Sequence, residues 1–152
     1  FKLSEAQIVR FLFKVNIGYP SLDEEVNIVN KYDEKEFEDI KFRRIFTRND
    51  IIKLQNLVRQ VPISNELKKF AVELVTSTRN KKNLIEYGAS PRASLYLIRA
   101  AKARALVSGK KYVSKDDIKK MAYPILRHRI ILSFEAERKS MTEDDVIKTL
   151  VD

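Results

Sequence analysis

From Asn49 onward the chain repeats one pattern, an apolar stripe at helical spacing, and that pattern makes this region predominantly helical. Ile51, Leu54, Leu57, Val58 and Val61 form the first stripe, which Pro62 interrupts. Ser64 caps a second helix with Leu67, Phe70, Ala71, Leu74 and Val75 on one face. Asn80 to Tyr87 reads as a connector, and a third helix starts at Pro91, burying Leu95, Ile98, Ala101 and Ala105. Gly109 suits its C-terminal cap, because glycine reaches positive φ without a Cβ penalty. Ser114 with Asp117 opens a fourth helix carrying Ile118, Met121, Ala122 and Ile125, which Pro124 should end or kink. His128 to Leu132 is a short β-like run, and Thr142 with Asp145 opens a last helix through Val146, Ile147 and Leu150. Stripes of this kind can close a compact helical bundle.

The first third of the chain is different. Ser4 to Val9 is helix-compatible, after which Phe11, Phe13, Val15 and Ile17 alternate with other residues at the period of a strand. Gly18-Tyr19-Pro20 ends that segment, and Ser21 with Glu24 forms a capping box for a helix through Leu22, Val26 and Val29 to about Tyr32. A single strand cannot satisfy its own backbone, so this one is expected at the edge of a sheet supplied by another copy or by residues outside the chain. Asp33 to Arg44 is dominated by charge and reads as a linker, with a domain boundary there.

Charge divides along the same line. Residues 1–47 hold 8 Lys/Arg against 9 Asp/Glu, and residues 48–152 hold 22 against 12, so the whole excess lies in the helical part. It points either to an anionic partner such as nucleic acid, phosphate or an acidic protein face, or to lysine-rich solubility. Only Gly18, Gly88 and Gly109 occur, which excludes any glycine-rich phosphate loop or dinucleotide fingerprint within the chain. The absence of cysteine and the single histidine, His128, exclude disulfides and Cys/His zinc sites, and no metal ligands are expected. With no long apolar run and no leader pattern, a soluble cytoplasmic chain without a membrane span is expected. The start at Phe1 fits a piece of a longer protein.

Gly88-Ala89-Ser90-Pro91-Arg92-Ala93 carries the main chemical signal. Ser90 reads as N-cap and Pro91 as first helical residue, which puts Arg92 in the first turn, beside the positive end of the helix dipole. A forked cation and free N–H groups there can converge on phosphate oxygens. A solvated surface arginine is the other reading. Arg99 and Lys102 fall near the same stripe and either extend the positive surface or form a solvated face. His128, between Arg127 and Arg129, reads as a hydrogen-bonded packing residue because nothing supplies it with a nucleophile.

Several segments, in order, resemble the C-terminal part of MoxR-family AAA+ ATPases: Ser4 to Phe11, Gly18-Tyr19-Pro20, Leu54-Gln55 with Val58 and Val61, Thr78-Arg79, Gly88 to Leu95, Tyr112 to Asp117, and Leu126 to Ile130. The resemblance implies a mainly α chain: a helical bundle lid, one N-terminal strand left over from the α/β core, and a short β segment near 128–132. It divides the chain into the C-terminal edge of the AAA+ core (1–32), a charged linker (33–47) and the all-helical lid (48–152). Arg92 matches the family's sensor 2 arginine, with Ser90 and Pro91 beside the nucleotide. Arg10 matches the arginine finger that acts on a neighbouring subunit's ATP, although the position before it, commonly aspartate, is Val9 here. A helix-end charge near backbone carbonyls is the local alternative for Arg10. Thr78-Arg79 recurs at the end of the second lid helix, where a cation also suits the negative end of the dipole. The family uses ATP and Mg²⁺ in ring assemblies, a hexamer being expected, for chaperone-like remodelling of client proteins, so this part alone should be inactive. A basic helical module binding nucleic acid is the rival reading, made less apt by the scatter of its cations.

Overall fold

Side-chain hydroxyls and carboxylates set most of the helix starts, as the i, i+3 spacings require. The computed structural model describes residues 4–33 and 42–152. They divide into two compact units, Val15–Lys53 and a larger one made of Phe1–Lys14 with Leu54–Asp152. Most of the charged linker expectation, at residues 34–41, lies outside the described residues.

The chain begins with the single turn α1 (Glu5–Ile8) and, after an irregular stretch, α2 (Leu22–Tyr32). The Ser21 N–H donates to Glu24 Oε2 at 2.8 Å and the Glu24 N–H to Ser21 Oγ at 3.4 Å, completing the expected box. α2 buries none of its residues, and Leu22, Val26 and Val29 stay exposed. α3 (Arg48–Gln60) starts on a reciprocal Thr47–Asp50 pair, and its stripe is likewise open except where Val61, just past its end, enters the core.

The helical core is built from α4 (Asn65–Asn80), the short strand β1 (Ile85–Tyr87), α5 (Pro91–Val107), α6 (Lys115–Leu126), β2 (Ile131–Leu132), α7 (Phe134–Arg138) and α8 (Glu143–Val151). Val75, Ile85, Leu97, Ile118, Ile125, Leu126, Val146 and Ile147 are fully buried at its centre, each worth about 1.5–3 kcal/mol of transfer free energy. Ala93, Ala100, Ala101 and Ala105 of α5 and Ala122 of α6 are buried too, small residues that let the two helices approach closely. α5 ends in a Schellman motif: Gly109, at φ +69°, donates to the Leu106 carbonyl at 3.0 Å and Lys110 to the Ala105 carbonyl at 2.9 Å. α6 carries Pro124 in its last turn and ends two residues later, at Leu126, as the proline suggested.

Four expectations change. Leu95 is not buried but 61% exposed, and Ile98 is only partly covered, because the face of α5 turned to the core carries Ala93, Leu97, Ala101 and Ala105. The Asn80–Tyr87 connector contains β1, which pairs antiparallel with β2, Ile85 opposite Leu132 and Tyr87 opposite Ile131. The β-like run at 128–132 is reduced to its last two residues. No strand forms over Phe11–Ile17 among the described residues. Without a neighbouring strand, carbonyls of that stretch are taken by side chains: Arg127 Nη1 donates to Lys14 at 3.2 Å and His128 Nε2 to Phe11 at 2.9 Å, while the Lys14 N–H donates to the Pro124 carbonyl at 2.8 Å. No helix among the described residues is long and apolar enough to cross a membrane.

Candidate functional site

The segment that presents Arg92 is held from below by the end of α4. Thr78, fully buried, donates its hydroxyl to the Val75 carbonyl at 2.6 Å and accepts from the Ala89 N–H at 3.0 Å. Arg79 Nε donates to the Ala89 carbonyl at 2.8 Å, so both backbone groups of a buried residue are satisfied by consecutive side chains. Gly88 lies so close to α4 that a Cβ on it would sit 2.7 Å from the carbonyl carbon and oxygen of Thr78. Thr78-Arg79 is therefore a clamp on the loop, a role that the dipole argument for Arg79 does not supply.

Above the clamp, Ser90 adopts extended N-cap geometry at φ −74° and ψ 165°, with Pro91 as first helical residue, as expected. Its hydroxyl makes no capping hydrogen bond, and the first turn of α5 contains no acidic residue. Ser90, Pro91 and Arg92 are all exposed, and among the described residues no carboxylate pairs with Arg92. A positive dipole end, an uncommitted hydroxyl and a forked cation form a donor set suited to phosphate oxygens. Three or more metal-ligating side chains do not gather anywhere among the described residues.

Beyond Arg92 the outer face of α5 borders an open groove of about 790 Å³, lined by Leu12, Phe13, Val58, Leu95 and Ile98 with Arg59 and Arg99. Lys102 is committed elsewhere: its Nζ donates to the Arg59 carbonyl at the C-terminal end of α3, at 2.9 Å. Arg99 stays exposed along the groove.

Arg10 lies in the turn after α1, exposed, its N–H donating to the Gln7 carbonyl at 3.2 Å. Sequence reasoning passed over Arg129, which stands between the two candidate arginines. Its guanidinium carbon is 5.1 Å from the centroid of the Tyr96 ring, one turn after Arg92 on α5, and its Nη2 donates to the carbonyls of Val9 and Phe11, on either side of Arg10. Burial, and to a smaller extent the Arg92 charge, lower its pKa from the usual arginine value, while Tyr96 opposes them. His128 is the packing residue the sequence suggested. Burial pushes its pKa down against the opposing hydrogen bond to Phe11, and its Nδ1 is buried without a partner.

The comparisons bear on this geometry. The family model described as an AAA lid domain matches residues 77–150, from the clamp through α8. The chain is 34% identical over 151 residues to the uncharacterized protein YeaC of Bacillus subtilis, covering 99% of this chain and 47% of that protein. It is 33% identical over 159 residues to the chaperone MoxR1 of Mycobacterium tuberculosis, covering 99% of this chain and 41% of that one. A crystal structure of a protein designated an ATPase, from Cytophaga hutchinsonii, superposes with a TM-score of 0.90 at 35% identity, over 99% of this chain and 48% of that one. The chain thus spans about half the length of the curated relatives it matches.

Proposed function

The chain belongs to the MoxR-type AAA+ proteins and carries their lid, and on that premise we propose that it supplies Arg92 as the sensor 2 contact to the γ-phosphate of ATP bound by the same subunit. The observation that carries this reading is Arg92 itself, placed in the first turn of α5 on a clamped loop with no acid to neutralise it. Contact with the γ-phosphate stabilises charge on the phosphoryl oxygens and disappears when that group leaves, which ties lid position to nucleotide state. Arg10 acts in trans, as the finger offered to ATP on the neighbouring subunit of a hexameric ring.

In this reading residues 1–32 are the edge of the AAA+ core, 33–47 the linker and 48–152 the lid. The uncovered stripe of α2 supports it, since a core edge packs against elements supplied by the rest of the core. The whole protein hydrolyses ATP with Mg²⁺ in the cytoplasm and applies the cycle to chaperone-like remodelling of a client. The chain alone turns over no ATP, because it has no glycine-rich loop for the α- and β-phosphates.

Arg92→Ala in the full-length protein tests the proposal. Turnover should fall about 10²–10³-fold, as for loss of one charge-stabilising donor, with circular dichroism and unfolding midpoint unchanged because the side chain is exposed. Unaltered turnover removes sensor 2 from the account.

A further inference from the structure

Arg129 is a buried cation without an acid. The residue is 7% exposed, and no ion pair among the described residues includes it. Burying a guanidinium is costly unless its donors are met, and an apolar side chain of similar volume usually packs a core as well or better. Here four of its five N–H groups reach main-chain carbonyls. Nη1 donates to Ile125, at the end of α6, and to Leu12 at 3.3 Å; Nη2 donates to Phe11 at 2.5 Å and to Val9 at 3.3 Å. Only Nε is left without a partner. The acceptors on the far side bracket Arg10, and the face of the guanidinium rests against Tyr96, four residues along α5 from Arg92. A planar fork can address several fixed carbonyls at once, which an ammonium cannot.

We propose that Arg129 is a positioning residue: it fixes the backbone on both sides of Arg10 and ties that turn to the helix bearing Arg92. In a ring, this links the ATP contacted by a subunit's own Arg92 to the finger that the same subunit presents to its neighbour. The catalytic consequence rests on the reading of Arg10 and Arg92 given above, whereas the hold on residues 9–12 stands on geometry alone.

Amide hydrogen exchange on the 152-residue chain tests that hold without any catalysis. In Arg129→Lys, which keeps charge and stem but loses the fork, the amides of Phe11 and Lys14, which donate to the Ile8 and Pro124 carbonyls, should exchange at least about tenfold faster while α5 and α6 keep their rates. Arg10→Ala should change none of them. Unaltered exchange at Phe11 in Arg129→Lys overturns the proposal. Arg129→Met, an uncharged stem that preserves packing, is the second variant. If both variants raise exchange throughout α5 and α6, Arg129 is a stability residue and the positioning role is overturned.

The full-length ATPase supplies the catalytic half. Arg129→Lys should lower kcat about 10–100-fold, as expected of a displaced catalytic group, with KM for ATP within about twofold. Added to Arg10→Ala it should cost nothing more. Additive losses overturn the route through Arg10. Full turnover in Arg10→Ala alone would refute the finger reading, and the exchange data would still decide whether Arg129 holds the segment.

Discussion

Arg79 and Ala89 are joined by a side-chain-to-backbone hydrogen bond of 2.8 Å that spans ten residues of sequence and fixes the loop just ahead of Arg92. With the Thr78 hydroxyl on the Ala89 N–H, it makes the end of α4 a seat for the turn that carries Arg92. The precision of that turn is thus a property of α4 as much as of α5, and it can be probed without touching any residue that would meet a ligand.

Gly88→Ala should destabilise the fold by about 1–3 kcal/mol, the usual cost of forcing a methyl group into packed backbone. The added Cβ would stand 2.7 Å from main-chain atoms of Thr78, which cannot move aside as a flexible side chain could. Urea unfolding followed by circular dichroism measures this, and a midpoint equal to wild type would show that the loop can lift off α4 freely.

Thr78→Val keeps shape but removes the acceptor of a buried N–H, so a loss of about 1–3 kcal/mol is expected. Thr78→Ser retains the hydroxyl and should recover most of it. A larger loss in Thr78→Ser than in Thr78→Val would mean that the methyl group, not the hydrogen bond, carries the contact.

Asp117 has a completely buried carboxylate that accepts from Lys110 Nζ at 2.9 Å and from both the N–H and hydroxyl of Ser114, with Arg104 Nε at 3.5 Å. Burial raises its pKa, but the Lys110 and Ser114 hydrogen bonds outweigh that and hold it below the ordinary aspartate value. Asp117→Ala should cost about 3 kcal/mol, the low end for a broken buried pair because both cations are about a third exposed. Thermal unfolding at neutral pH checks it.

His128 predicts a pH dependence with a definite sign. Its pKa is depressed below 6.5 in the folded chain, chiefly by burial, so the unfolded chain binds more protons once pH falls below about 6.5. Stability should therefore decline as pH drops from about 7.5 towards 5.5, by at most about 1.4 kcal/mol per pH unit from this group. Denaturant midpoints at the two pH values should differ less in His128→Gln than in wild type.

What the sequence could disclose was local. Ser21 with Glu24, Ser114 with Asp117 and Thr142 with Asp145 signal helix starts because both partners lie within one turn, and the structure realises all three. The Ser90-Pro91-Arg92 turn was legible for the same reason. The hold of Thr78 and Arg79 on Ala89 spans ten residues or more and has no periodic signature. That of Arg129 on Phe11 spans 118. β1 is only three residues long and owes its existence to a partner past α6. Leu95 misled because α5 is apolar on more than one face, and periodicity does not say which face is covered first.

The capping pairs have a collective consequence. Glu24, Asp50, Asp117 and Asp145 each begin a different helix, and each has its pKa lowered by the hydroxyl and backbone groups it caps, aided at Asp117 by Lys110. Carboxylates with depressed pKa values support the fold above their unfolded pKa and release that support as acid protonates them. A single solution variable thus addresses the first turns of α2, α3, α6 and α8 together, and acid should fray the chain from many ends at once rather than peel it from one terminus.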